Sequence, residues 1–243
     1  MLQSSLYVGL SGQITLQRRL DTVAQNVANS STAGYRAENV KFGSLISNAG
    51  HVPVAYATTQ STTLSRRTGE IVSTGNPLDV AVSGDAWLSI ETPAGPAYTR
   101  DGRMRMLPTG ELQTLTGRPV LDDGGAALTV NPRGGPVEIG RNGVIQQSGR
   151  QVGRIGLFTI DKAAALKRFD DAAVIPDRAA DPVTDFNIAG VVQGYIERAN
   201  VNPVLEMSNL INVSRAFDAI STAMSDTEDT LRRSIDTLGA PSR

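Results

Sequence analysis

From Asn202 to Gly239 an apolar residue returns at every seventh position, and this regularity constrains the fold more than anything else in the chain. In a heptad register Leu210, Phe217, Met224, Leu231 and Leu238 fall at d, while Met207, Ser214, Ser221, Glu228 and Ile235 fall at a. A helix built this way has a continuous apolar seam interrupted by hydroxyls and one carboxylate. Asn200-Val201-Asn202-Pro203 marks its start, because Asn202 can cap and Pro203 suits the first helical position. No proline follows until Pro241, and about 36 residues at 1.5 Å rise give a rod of roughly 54 Å.

The other end of the chain is also helix-like. Leu6, Leu10 and Ile14 are followed by Leu16, Leu20, Val23 and Val27, and the second group shares one helical face. Asn29-Ser30-Ser31-Thr32 and Gly34 end this helix, since small polar side chains compete for backbone bonds and Gly34 can take a positive φ. Burying a Leu or Phe side chain is worth about 1.5–3 kcal/mol relative to exposure, so the seam must be covered in the functional state. The polar a positions Ser214, Ser221 and Glu228 argue against a tight, self-sufficient dimer. The expectation is that the terminal helices pair as an antiparallel or crossed hairpin and pack laterally against copies. In isolation they are expected to be largely disordered.

Between the helices the pattern changes. The 35–75 stretch, with His51-Val52-Pro53-Val54 and a Ser/Thr-rich run from Thr58 to Ser65, reads as an extended connector. From Pro77 to about Ile160, short alternating runs are punctuated by turns. These lie at Gly84-Asp85, Pro93-Ala94-Gly95-Pro96, Asp101-Gly102, Pro108-Thr109-Gly110, Thr116-Gly117, Asp123-Gly124-Gly125, Arg133-Gly134-Gly135 and Asn142-Gly143. Such spacing predicts antiparallel hairpins and excludes a parallel α/β sheet. Asp161 to Asp171 predicts a short helix, 175–188 a loop, and Val191 to Ile196 a last extended piece.

The expected fold class is therefore α+β: N- and C-terminal α-helices paired as a coiled-coil-like helical domain, with a central antiparallel β domain. The expected divisions are 1–34 with 203–243 for the helices, 35–75 for the connector and 76–202 for the β domain with its loops. The expected subunit-assembly interface comprises Leu6, Leu10, Ile14, Leu16, Leu20, Val23, Val27, Met207, Leu210, Phe217, Met224, Leu231, Ile235 and Leu238.

Catalytic chemistry finds no footing in these residues. The single histidine, His51, has no cysteine or acidic cluster near it in sequence, and there is no cysteine at all. Asp122-Asp123 and Asp170-Asp171 are adjacent carboxylates whose side chains point apart, as solvated turn residues do. No glycine-rich loop ends in Gly-Lys-Ser/Thr, and no serine sits in a Gly-x-Ser-x-Gly elbow. An enzyme is not expected, nor any cofactor or metal. A net charge of -1 leaves no basic excess for nucleic acid. No segment approaches the roughly 18 apolar residues needed to span a bilayer, so no direct bilayer insertion is expected. Gln3, Ser4, Ser5, Ser11 and Gln13 interrupt the N-terminal apolar residues, which is not a Sec-type signal pattern; export, if it occurs, is expected by another route.

Three separated motifs carry a resemblance. Leu10-Ser11-Gly12, Val23-Ala24-Gln25-Asn26-Val27-Ala28-Asn29 and Ser31-Thr32-Ala33-Gly34-Tyr35-Arg36 resemble the N-terminal motif of flagellar rod and hook proteins. Pro77-Leu78-Asp79-Val80-Ala81, Gly84-Asp85-Ala86-Trp87-Leu88 and Tyr98-Thr99-Arg100-Asp101-Gly102 resemble the β domain of that family. Gly194-Tyr195-Ile196-Glu197 and Asn200-Val201-Asn202-Pro203-Val204 resemble its C-terminal motif. Tyr35, where the family often has Phe, and Arg198-Ala199 are mild departures. The likeness favours a proximal rod subunit over the distal rod type, with the hook type disfavoured by the lack of a large insertion.

The resemblance implies export through the flagellar type III apparatus and polymerisation with copies of itself and other flagellar rod proteins, a distal rod protein being one neighbour. It places the chain in the flagellar basal body, in a periplasmic rod that carries torque from motor to hook. It also implies that the helices line an inner tube and the β domain an outer wall. A rival expectation is a periplasmic ligand-binding module dimerised by its helices.

Overall fold

Asn202 ends the extended chain and opens the C-terminal helix: its Oδ1 accepts the backbone N–H groups of Val204 at 3.1 Å and Leu205 at 3.2 Å. Two of the helix's unpaired donors are thereby satisfied, with Pro203 at the position where a missing N–H does no harm. At the other end, Thr32 N–H donates to the Asn29 carbonyl at 3.0 Å and Gly34 takes φ +69°, which turns the chain out of the first helix.

The computed structural model describes residues 2–47, 54–170 and 172–239. Helix α1 spans Leu2–Ala28. It is followed by β1 (Glu38–Ser47), β2 (Val54–Leu64), β3 (Ile71–Ser73), β4 (Val80–Ser83), β5 (Trp87–Thr92), β6 (Gly95–Thr99), β7 (Met104–Met106) and β8 (Leu112–Thr114). Then come β9 (Val137–Ile139), β10 (Val144–Gln147), β11 (Arg150–Arg154), β12 (Leu157–Thr159) and β13 (Leu166–Arg168). The last strands are β14 (Ala173–Pro176), β15 (Asp181–Pro182), β16 (Gly190–Gln193) and β17 (Tyr195–Glu197), ahead of α2 at Pro203–Gly239.

The chain divides into two compact units. One comprises Met1–Ala28, Glu38–Thr63 and Asn202–Arg243; the other comprises Asn29–Ala37 and Leu64–Val201.

The first unit holds both helices and the two-stranded β1–β2 ribbon. Thr58, Thr62 and Thr63 favour the ribbon because β-branched side chains fit a pleated surface. The buried Asn26 fixes the ribbon's start to α1, donating Nδ2–H to the Glu38 carbonyl at 3.0 Å and accepting the Glu38 N–H at 2.9 Å. The Ala57 N–H donates to Ser11 Oγ at 3.2 Å.

In the second unit every recorded strand pairing is antiparallel. A six-stranded sheet runs β13-β14-β6-β5-β12-β15, a three-stranded one runs β11-β10-β9, and the pairs β16-β4, β17-β3 and β7-β8 complete it. The main core gathers Val80, Val82, Leu88, Leu112, Ile145, Ile155, Leu157 and Val191, and a second cluster forms around Trp87, Tyr98, Ile160 and Val174.

Several expectations need correction. A coiled-coil-like domain of paired terminal helices is not what the chain builds. Among the described residues there is one helix at each end and otherwise mostly multistranded antiparallel sheet, and the unit holding the helices also contains a β ribbon. The α+β class stands. The short helix expected over 161–171 is a turn followed by β13, because Leu166–Arg168 pairs with Val174–Pro176. Each terminal helix has hydrogen-bond partners within its own unit.

Candidate functional site: two-faced helices and a buried charge cluster

At 3.6 residues per turn, α1 carries two apolar stripes rather than one. Leu16, Leu20, Val23 and Val27 are buried or half-buried, in line with Gly9, Gly12 and Gln13. This inner face meets α2. A Cβ added at Gly9 would stand 3.1 Å from Met224 Cγ, one at Gly12 would stand 3.5 Å from Ile220 Cδ1, and Gln13 Nε2–H donates to Ser221 Oγ at 3.2 Å. Glycine therefore lets the two backbones approach. Leu10 and Ile14 lie on the far side with Tyr7, which is 62% exposed.

Helix α2 has the same construction. Leu210, Phe217 and Met224 are half-buried, but the residues completing their seam are Val213, which is buried, and Ile220. The expected a position Met207 is exposed, as is Glu228. Leu210, Phe217 and Met224 belong to both registers; of the other expected a positions, Ser214 and Ser221 are half-buried beside this seam, with Ser221 accepting from Gln13 of α1. Met207 instead shares a stripe with Val204, 67% exposed, and Ile211, 53% exposed, on the side opposite the buried seam. The side chains of Leu6, Leu231, Ile235 and Leu238 lie outside the described residues.

The second unit is organised around one acid. Glu197 is 1% exposed; its Oε1 lies 2.8 Å from Arg36 Nη2, and its Oε2 lies 3.1 Å from Arg100 Nη1. Both guanidiniums sit over the ring of Trp87, with centroid distances of 5.5 Å for Arg36 and 5.3 Å for Arg100. Glu197 Oε1 also accepts the Gly69 N–H at 2.8 Å, and its backbone carbonyl accepts the Gly34 N–H at 2.8 Å. Arg36 donates to the Arg67 carbonyl, and Arg100 donates to the carbonyls of Val82 at 3.2 Å and Gly84 at 2.6 Å.

Burial pushes both guanidiniums below their ordinary value, Arg100 to about 10, against the pull of Glu197. Asn200 adds a clamp, accepting the Ala37 N–H at 2.7 Å and donating to Ser65 Oγ at 3.1 Å and the Arg67 carbonyl at 2.6 Å. Sequence reasoning missed this cluster. Its only trace is a charged residue in the otherwise uncharged run 190–197, which does not announce its partners.

Among the described residues no group of three His, Cys, Asp or Glu side chains could hold a metal ion, and His51 lies outside them. No described helix is long and apolar enough to cross a membrane.

Helices with an apolar face to spare, joined to a sheet-rich body, define a structural subunit. The chain belongs to the flagellar basal-body rod protein family. Residues 6–36 match the flagella basal body rod protein family, 81–147 the D1 domain of the flagellar hook protein FlgE/F/G, and 192–237 the C-terminal part of the flagellar basal body rod FlgEFG proteins. Three similar relatives are called flagellar basal-body rod protein FlgF. The one from Mesorhizobium japonicum is 46% identical over 99% of this chain and 100% of its own. That from Rhizobium meliloti is 44% identical over 98% and 99%, and that from Caulobacter vibrioides 36% identical over 98% and 99%. The protein is thus a structural component of the flagellar basal body, not an enzyme, and it assembles with other rod and hook proteins.

Proposed function

We propose that the chain is a subunit of the proximal rod, polymerising with copies of itself and other rod proteins into the shaft that crosses the periplasm and carries torque from motor to hook. A distal rod protein is its neighbour on one side, and the type III export apparatus delivers it. The observation that carries this reading is the second, water-facing apolar stripe on each terminal helix. Tyr7, Leu10 and Ile14 form it on α1, and Val204, Met207 and Ile211 on α2.

Full burial of such side chains is worth about 1.5–3 kcal/mol each, so a set that begins half-exposed yields on the order of 5–9 kcal/mol. Association costs about 4–15 kcal/mol. A single pairwise contact is therefore marginal, and a lattice in which each helix meets several neighbours is favoured. Within that assembly interface Leu10, Ile14 and Met207 face neighbouring subunits. Leu16, Leu20, Val23, Val27, Leu210, Phe217 and Met224 hold the helices in the shape that presents them.

The test is the double variant Ile14→Asp with Ile211→Asp. It is expected to keep the helical circular dichroism and Trp87 fluorescence of the parent, yet be absent from purified basal bodies and fail to restore swarming. Incorporation at the parent level would refute the proposal.

A further inference from the structure

The charge cluster has a temporal consequence, because its members are far apart along the chain. Arg36, Trp87 and Arg100 all precede the acid that neutralises the two guanidiniums, and Glu197 comes 97 residues after Arg100. Until residues 190–197 arrive, β4 lacks β16 and β3 lacks β17. The backbone of Gly34 lacks its Glu197 acceptor, and that of Ala37 its Asn200 acceptor. Above all, folding would bring two cations together on one indole in a site 1–2% exposed, with the Asp85 carboxylate acting on both more weakly than Glu197 does. Two like charges withdrawn from water without their main counter-charge oppose closure strongly.

We propose that Glu197 is a folding latch: the unit formed by Asn29–Ala37 and Leu64–Val201 stays open while its earlier segments emerge, and closes when the Glu197 carboxylate enters between Arg36 and Arg100. A chain delivered N-terminus first therefore remains threadable until Glu197 has passed. Neutralisation by the carboxylate, rather than pairing of β17 alone, closes the unit. This goes beyond the rod assignment and involves no contact between subunits.

The full chain carries its own reporter, since Trp87 is its one tryptophan and lies against both guanidiniums. In Glu197→Gln the backbone of β17 is kept and the charge removed. The closed-to-open ratio, obtained from urea unfolding followed by Trp87 emission, is expected to fall by roughly 10²- to 10³-fold. The indole should also become accessible to acrylamide. The triple variant Arg36→Met, Arg100→Met, Glu197→Met needs no counter-charge and is expected to restore a shielded Trp87. A loss of less than tenfold in Glu197→Gln would overturn the latch. So would a triple variant as open as Glu197→Gln, because the cluster would then act by shape and not by charge.

Discussion

Gly34 shows how a single position fixes the turn that follows α1. At φ +69° it adopts a conformation that costs other residues roughly 1–2 kcal/mol. A Cβ there would stand 2.2 Å from the Asp101 nitrogen and 2.4 Å from the Arg100 carbonyl carbon. Those are backbone atoms and cannot swing aside. Gly34→Ala is therefore expected to cost more than the conformational penalty alone, about 3 kcal/mol or more once the clash is added, read as a lowered urea midpoint of Trp87 fluorescence. A parent-like midpoint would mean the turn is not held as described. The turn and its glycine were legible in the sequence, because small polar residues followed by Gly is a local signal. Glu197 was not legible. Its burial depends on Arg36 and Arg100, and no local rule ties residues so distant in sequence.

At the scale of elements, the ends of α1 and α2 and most hairpin turns could be read directly, because caps, prolines and glycines act over a few residues. The inward face of α2 could not. Met207, Leu210, Val213, Phe217 and Ile220 offer two seams that share members, and only the partner helix selects between them. The selection predicts unequal costs. Ile220→Ala and Val213→Ala are expected to lower helix stability by about 1–3 kcal/mol each, whereas Met207→Ala should stay within about 0.5 kcal/mol in the unassembled chain. Thermal melts at 222 nm read both, and the reverse order would restore the register with Met207 at a. The ribbon β1–β2 was likewise hidden: its Ser/Thr-rich strands look like a loose linker until Asn26 and Ser11 supply their hydrogen bonds.

For the whole molecule, the division into two units implies that unfolding is not a single event. The described helices lie in one unit and Trp87 in the other. Ellipticity at 222 nm and Trp87 emission are therefore expected to give different midpoints in urea, as chains with more than one cooperative unit do. Coincident curves from both probes would show one cooperative body instead.

By itself, the sequence determined the two terminal helices, their caps, the antiparallel character of the middle and the likeness to flagellar rod proteins, since propensity, turn chemistry and motif order are encoded residue by residue. Only the tertiary structure decided which stripe of each helix turns inward, that a ribbon accompanies the helices, and that one carboxylate joins two guanidiniums on an indole. Those choices arise from contacts between segments distant in the chain, where the energy of burying a side chain or a charge depends on what stands opposite it.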